Sequence, residues 1–226
     1  MPRLTNRWTG DVMTNNSVSV DTFFVISGLL TAYLTVKEMN QKGWRLDWGV
    51  FYFHRLWRLT PPYMMTLVII LGIKQYCGEG PLWSPVQPHD KHNCEKHWWA
   101  NLLYINNFVY QKTPCFQFTW YMAVAMQFFA VSPLMIIPFY FKELLGFVVC
   151  GILFAVHVII TGVFSAQNDW ATSLTSAFNR DTDVDYLRKY YGLPWYRIGP
   201  YIIGIVVGYL LATYRDKIRL TWVSSR

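Results

Sequence analysis

Five stretches of this chain place side chains capable of chemistry at spacings that matter. The first is His54-Arg55-Leu56-Trp57-Arg58. On a helix, Arg55 and Arg58 lie three apart and His54 and Arg58 four apart, so all three share a face. Two guanidiniums on one face can grip a phosphate through paired N–H donors; beside Trp57 they can equally anchor a helix at lipid headgroups. The second is Ser19-Val20-Asp21-Thr22. A carboxylate at the start of an apolar segment either caps a helix or lines a polar cavity. The third runs from Trp120-Tyr121 to Met126-Gln127. Its aromatics suit a membrane interface, and its amide, one to two turns deeper, needs a partner. The fourth, His89 to His97, has the H-x2-H-x-C-x2-H spacing of a zinc site. Cys94, however, has other cysteines near it in an exposed loop, so no metal is expected there. The fifth is His157, alone in an apolar segment, which reads as a packing histidine.

The elements that must position these residues are apolar blocks of membrane-spanning length. A bilayer core of about 30 Å needs about 20 helical residues at roughly 1.5 Å each. Five blocks qualify, near 20–39, 60–76, 120–141, 146–165 and 198–214. Between the first two, 40–59 is amphipathic and rich in aromatics, and predicts a short helix lying in the interface. Pro61-Pro62 then falls at the start of the second span, where missing N–H groups do least harm. Pro133 and Pro138 predict a kink in the third span. Gly199, Gly204 and Gly208 lie in the fifth, where Gly204–Gly208 and Gly208–Ala212 are overlapping small-xxx-small pairs that let helices approach closely. Two long polar loops, 77–119 and 166–197, connect the spans on one side, and 97–110 is apolar enough to lie against the bilayer. The fold class is all-α, a polytopic helical membrane protein with about five transmembrane helices plus the interfacial helix.

Composition agrees. Apolar residues make up 53% and charged residues 15%, against roughly 25% charged in a typical soluble domain. The formal charge of +7 does not imply a nucleic-acid partner, because the basic residues sit beside apolar segments among Trp, Tyr and Phe. They read as interface anchors and topology determinants. Half of the 20 Lys and Arg residues fall in 37–58, at Lys142 and in the tail after Tyr214. These short segments next to span ends predict that this side is cytoplasmic. Cys77, Cys94 and Cys115 and the sequon Asn15-Asn16-Ser17 then face outward, where disulfides persist and glycans attach. Cys150 lies within a span and reads as a small packing residue. The polar residues before Val18 do not form a cleavable leader, so the first span is expected to be an uncleaved anchor or to follow an upstream helix.

Several of these stretches together resemble one family. Ser19-Val20-Asp21-Thr22-Phe23-Phe24-Val25-Ile26-Ser27-Gly28 is similar to a helix start of acyltransferase-3 proteins, and Arg55-Leu56-Trp57-Arg58 followed by Pro61 is similar to their R-x-x-R motif. Trp98-Trp99, Asn106-Asn107, Cys115, Trp120-Tyr121 and Pro194-Trp195-Tyr196-Arg197-Ile198-Gly199-Pro200 follow in the order of the nose-resistant-to-fluoxetine-like animal branch. The resemblance implies about ten membrane helices and transfer of an acyl group from acyl-CoA, the donor substrate, to a hydroxyl of a lipid or small hydrophobic acceptor. It implies no bound cofactor. Arg55, Arg58 and His54 would bind the donor; Asp21, Trp120, Tyr121, Gln127 and Arg197 would line the acceptor side. It also implies a Cys94–Cys115 disulfide, although the sequence leaves Cys77–Cys94 open. The family's catalytic histidine precedes the Ser19-Val20-Asp21 motif, and its carboxylate near Gln127 is replaced by Ala125, so this chain is expected to be a fragment, inactive alone. The alternative is a non-catalytic lipid or drug uptake factor on the same scaffold. Either would reside in the plasma membrane or endoplasmic reticulum.

Overall fold

The computed structural model describes residues 17–43, 46–73, 87–109, 115, 119–168 and 192–214. The sequon asparagine Asn15, Cys77 and the basic tail after Tyr214 lie outside the described residues. Among the described residues there are six helices and no strand. They are α1 (Ser17–Lys42), α2 (Trp48–Ile73), α3 (Gln87–Leu102), α4 (Trp120–Phe141), α5 (Glu143–Asn168) and α6 (Ile198–Tyr214), with a 3-10 turn at Pro194–Tyr196. Four of them, α1, α2, α4 and α5, are long and apolar enough to cross a membrane. The 17 residues of α6 reach the short end of the spanning range. Helices dominate because hydrocarbon offers no partner for a backbone N–H or C=O, and a helix satisfies both internally. Large apolar side chains such as Phe23, Leu34, Leu144 and Ile159 remain exposed, as suits a surface solvated by lipid.

Two compact units divide the chain. The first contains α1, α4 from Val131 onward, α5, the 3-10 turn and α6. Phe24, Ala32, Thr35, Val36 and Met39 are buried on one face of α1, and Tyr201, Ile202, Ile205 and Tyr209 on one face of α6. Gly28 faces the Tyr201 carbonyl, Gly204 the Val25 carbonyl and Gly208 the Leu29 carbonyl, so closely that a Cβ on any of the three would strike backbone. These contacts climb both helices in the same direction. The pair is therefore parallel and must cross a bilayer in one sense, as a first and a fifth alternating span do. Gly43 closes α1 in the left-handed region, at φ 83°, and its N–H donates to the Met39 carbonyl at 2.8 Å.

The second unit contains α2, α3, the turn after α3, α4 up to Ala130, and Gly192-Leu193. The sequence and the structure partition its first segment differently. The stretch read as a separate interfacial helix over 40–59 is shared: α1 extends to Lys42, and the residues from Trp48 onward form the first half of one 26-residue helix. Pro61 and Pro62 lie inside α2, not at its start. Each removes one ladder hydrogen bond, to the carbonyls of Trp57 and Arg58 respectively, but ending the helix there would strand more backbone groups in lipid. The true start is capped by Asp47, whose Oδ1 accepts from the Val50 N–H at 3.3 Å.

Within the expected 77–119 loop the structure forms α3, tied to the segment after it by a Cys94–Cys115 disulfide with Cα atoms 4.2 Å apart. That bond settles the open pairing and removes Cys94 as a zinc ligand. Both cysteines are buried in a cluster with Tyr63, Leu67, Tyr104 and Ala123. Their separation of 21 residues sets the expected effect of reduction at about 3 kcal/mol, through release of chain entropy in the unfolded state. Thermal unfolding of the Cys94→Ser, Cys115→Ser double variant in detergent should show that loss, and an unchanged midpoint would contradict it.

Candidate functional site

Arg55 is fixed by aromatic stacking. Phe51, Tyr52 and Arg55 occupy one side of α2, and all three meet the Phe129-Ala130 turn of α4. The Arg55 guanidinium lies 4.7 Å from the Phe129 ring centroid, and Phe51 stacks on the same ring at 4.4 Å. The Tyr52 hydroxyl donates to the Ala130 carbonyl at 2.9 Å. A cation over an aromatic face contributes about 1 kcal/mol and restricts where the guanidinium can go. One turn on, Arg58 is exposed, as is His54. The triplet therefore presents one half-buried, positioned guanidinium and one exposed one. Nearby, Phe53 and Trp57 stack at 5.9 Å with most of their surface exposed, suited to a headgroup region.

Gln127 finds its partner in the turn after α3. Its Nε2 donates to the Tyr104 carbonyl and to Asn107 Oδ1, both at 2.8 Å, while Asn107 Nδ2 returns a bond to Gln127 Oε1 at 3.1 Å. Two amides paired in both directions leave little unsatisfied capacity, which is what a buried polar group requires. Tyr104 itself adopts φ 57°, the left-handed C′ position of a Schellman cap. Its N–H donates to the Asn101 carbonyl, and the Ile105 N–H to the Ala100 carbonyl. Glycine usually occupies that position, and a tyrosine there is strained by about 1 kcal/mol. Both ends of Tyr104 offset the strain: the hydroxyl pairs with Thr60 at 3.0 Å, and the ring stacks on Tyr63 at 5.8 Å. Tyr63 donates to Asn101 at 3.0 Å, and Asn106 to Thr119 at 2.8 Å. The second unit thus has a polar interior built from α2, α3, α4 and the α3 turn. Trp120 and Tyr121 stand at the start of α4, half-buried, with their rings edge-to-face at 6.2 Å.

Asp21 and Arg197 form an ion pair in the first unit. Arg197 Nη1 donates to both carboxylate oxygens, at 2.9 and 3.1 Å. The Arg197 side chain is 9% exposed and the Asp21 side chain 34%, so the guanidinium is desolvated while the carboxylate keeps an open side. The 3-10 turn brings Arg197 to the start of α6, and α6 lies parallel to α1, which sets it beside Asp21. His157 also belongs to this unit. Its Nδ1 is 2.9 Å from the Trp195 carbonyl, and its ring fills the space over Gly199. It is a packing and positioning residue, as its isolation in the sequence implied.

The eight residues singled out from sequence therefore fall into three groups. Asp21 pairs with Arg197 in the first unit. In the second, Gln127 joins the amide network beside Trp120 and Tyr121, and Arg55, with His54 and Arg58 on the same helix, meets Phe129. Sequence reasoning did not single out Thr60, Tyr63, Asn101 or Tyr104 as members of the polar interior. The available signal was asparagine at 101, 106 and 107 within an otherwise apolar, aromatic stretch. Ala125 is buried at 6% exposure, so a carboxylate there would need its own partner.

Parallel apolar helices with buried ion-pair and amide networks define a polytopic membrane protein. The acyltransferase-3 family model, an acyltransferase domain, matches residues 2–226, and the chain belongs to that family. It is 31% identical over 219 residues to Nose resistant to fluoxetine protein 6 of Caenorhabditis elegans, covering 88% of this chain and 26% of that protein. It is 23% identical over 222 residues to Regulator of hypoxia-inducible factor 1 of the same organism, covering 89% of this chain and 41% of that protein. The chain thus spans well under half the length of these relatives. No solved structure matches.

Proposed function

We propose that this chain forms part of a membrane acyltransferase that moves an acyl group from acyl-CoA to a hydroxyl of a lipid or small hydrophobic acceptor. What supports this most is a family match running through the whole R-x-x-R region, with Arg55 held over Phe129 and Arg58 exposed one turn away. A fixed guanidinium followed by a free one suits the phosphates of a CoA donor approaching from the cytoplasmic side. In the transfer the acceptor oxygen bonds to the acyl carbonyl carbon, the thioester C–S bond breaks, and CoA leaves as the thiol. The hydroxyl proton needs a base, which the family pattern places before Ser19. The family resemblance assigns Asp21 and Arg197, in one unit, and Trp120, Tyr121 and Gln127, in the other, to the acceptor side. The compartment is the plasma membrane or endoplasmic reticulum.

In a full-length version, Arg55→Ala with Arg58→Ala should weaken acyl-CoA binding roughly hundredfold, the loss of two charge-assisted hydrogen bonds. Binding unchanged at low and moderate salt would return both arginines to headgroup anchoring. Two observations favour a second reading, a non-catalytic lipid or drug uptake factor. Ala125 stands where the family pattern has a carboxylate, and one relative is named for resistance to fluoxetine. Incubating the full-length protein with labelled acyl-CoA and a lipid extract separates the two. Label in a product supports the enzyme, and ligand retention without turnover supports the carrier.

A further inference from the structure

The tandem prolines of α2 leave a backbone acceptor open beside the arginine pair. A helical carbonyl accepts from the N–H four residues on or, less ideally, three residues on. For the Arg58 carbonyl those residues are Pro62 and Pro61, and neither has an N–H. The next N–H, of Tyr63, serves Leu59 in a helix that runs on to Ile73. The Trp57 carbonyl is better placed, since it loses Pro61 but keeps the Thr60 N–H three residues on.

A carbonyl left open within a span is costly unless a neighbouring helix, a hydroxyl or water serves it. Among the described residues no side chain donates to the Arg58 carbonyl. The hydroxyls on either side of it along α2 are engaged elsewhere. Thr60 pairs with Tyr104 at 3.0 Å, and Thr66 donates to the Pro62 carbonyl at 2.7 Å. Trp57, Arg58, Pro61 and Pro62 are all exposed, so neither α3 nor α4 covers this side of α2. Lipid tails have no hydrogen to donate, and a ligand does.

We infer that the Arg58 carbonyl accepts an amide N–H from the pantetheine arm of an acyl-CoA donor, one step along α2 from the guanidiniums that meet the phosphates. This rests on the proposed donor role of Arg55 and Arg58. Side chains on a helix lean toward its N-terminal end, and carbonyls point toward its C-terminal end. The Arg58 guanidinium therefore lies toward Trp48 and its carbonyl toward Ile73, about one to two turns or roughly 5–10 Å apart. Coenzyme A carries its groups in the same order and at comparable spacing: phosphates, then two secondary amides, then the thioester. A donor entering from the Trp48 end sets its phosphates on the guanidiniums and an amide on the carbonyl. The acyl chain beyond the thioester has no N–H to offer, so the arm is the part that fits.

The test is ligand binding to the full-length protein in detergent. The probes are acyl-CoA, 3′-phospho-ADP, which keeps the phosphates but lacks the arm, and two acyl-CoA analogues in which oxygen replaces one or the other amide N–H. Wild type should bind one analogue about five- to tenfold more weakly than acyl-CoA, the worth of one hydrogen bond to an otherwise open acceptor. Pro62→Ala returns an N–H to the Arg58 carbonyl. It should weaken acyl-CoA by a similar factor, erase the amide preference and leave 3′-phospho-ADP unchanged, while raising the unfolding temperature. A proline with a purely structural role would shift the unfolding temperature without touching that preference. Pro61→Ala, whose N–H chiefly serves Trp57, should preserve most of it. If Arg55→Ala with Arg58→Ala leaves acyl-CoA and 3′-phospho-ADP binding unchanged, the donor reading fails and this inference with it. If that pair weakens both ligands, two results overturn the carbonyl assignment alone: wild type binding both analogues as tightly as acyl-CoA, or a preference that survives Pro62→Ala. Either is expected if another segment of the protein serves the carbonyl instead.

Discussion

Replacing Gly204 with valine should prevent α1 and α6 from associating and lower the unfolding temperature more than any other single change in the first unit. A Cβ at this position would strike the Val25 carbonyl and approach the Leu29 N–H at 3.0 Å. Both are helix backbone, which cannot rotate aside as a side chain can, so the whole α1–α6 spacing must widen. Widening also lifts Tyr201, Ile205 and Tyr209 off α1, and without a hydrophobic drive between helices in lipid, close packing is what holds such a pair together. Gly151→Val on α5 is the control, because a Cβ there meets nothing within 4 Å. Thermal unfolding in detergent should separate the two variants clearly. Equal midpoints would mean that the helices do not approach as described.

The second large effect is expected from Asp21→Ala. It removes the carboxylate that accepts both Nη1 bonds from the desolvated Arg197 guanidinium, and taking away one member of a buried pair costs about 3–5 kcal/mol. The open side of Asp21 tempers this, so about 3 kcal/mol is expected. Adding Arg197→Met should return much of the loss, since a paired charge exchanged for apolar volume is often neutral. Chemical or thermal unfolding of the two variants in one detergent measures both. A double variant as unstable as the single one would show that Asp21 acts through some other contact.

The boundaries of α4 and α6 were legible in the sequence because their apolar runs begin and end at polar or aromatic belts. The α2 segment was not. Tandem prolines read as a boundary when local backbone chemistry is considered alone, and the bilayer's demand for an unbroken ladder outweighs it. Gln127 announced a need for a partner, but nothing in the sequence identified Asn107 and the Tyr104 carbonyl, because that depends on how the α3 turn folds back. The left-handed Tyr104 carried no local signal, since glycine is the usual marker of that geometry. Asp21 was legible as an unusual polar residue at a span entrance, and Arg197 only through the family resemblance of the stretch around it. Their pairing required knowing that α1 and α6 are neighbours. The Cys94–Cys115 bond was legible through family resemblance, with the residue spacing itself compatible with another partner.

The ion pair between Asp21 and Arg197 joins positions 176 residues apart, and this has a consequence for biogenesis. At about 5–20 residues per second, a ribosome needs roughly 10 to 35 s to make the intervening chain. During that interval α1 enters the membrane with an uncompensated carboxylate near its mouth, and with Gly28 and the backbone beside Val25 and Leu29 awaiting a closely packed neighbour. It must be sheltered beside the translocon or shielded by a chaperone until its late-arriving counterpart is inserted in the same direction.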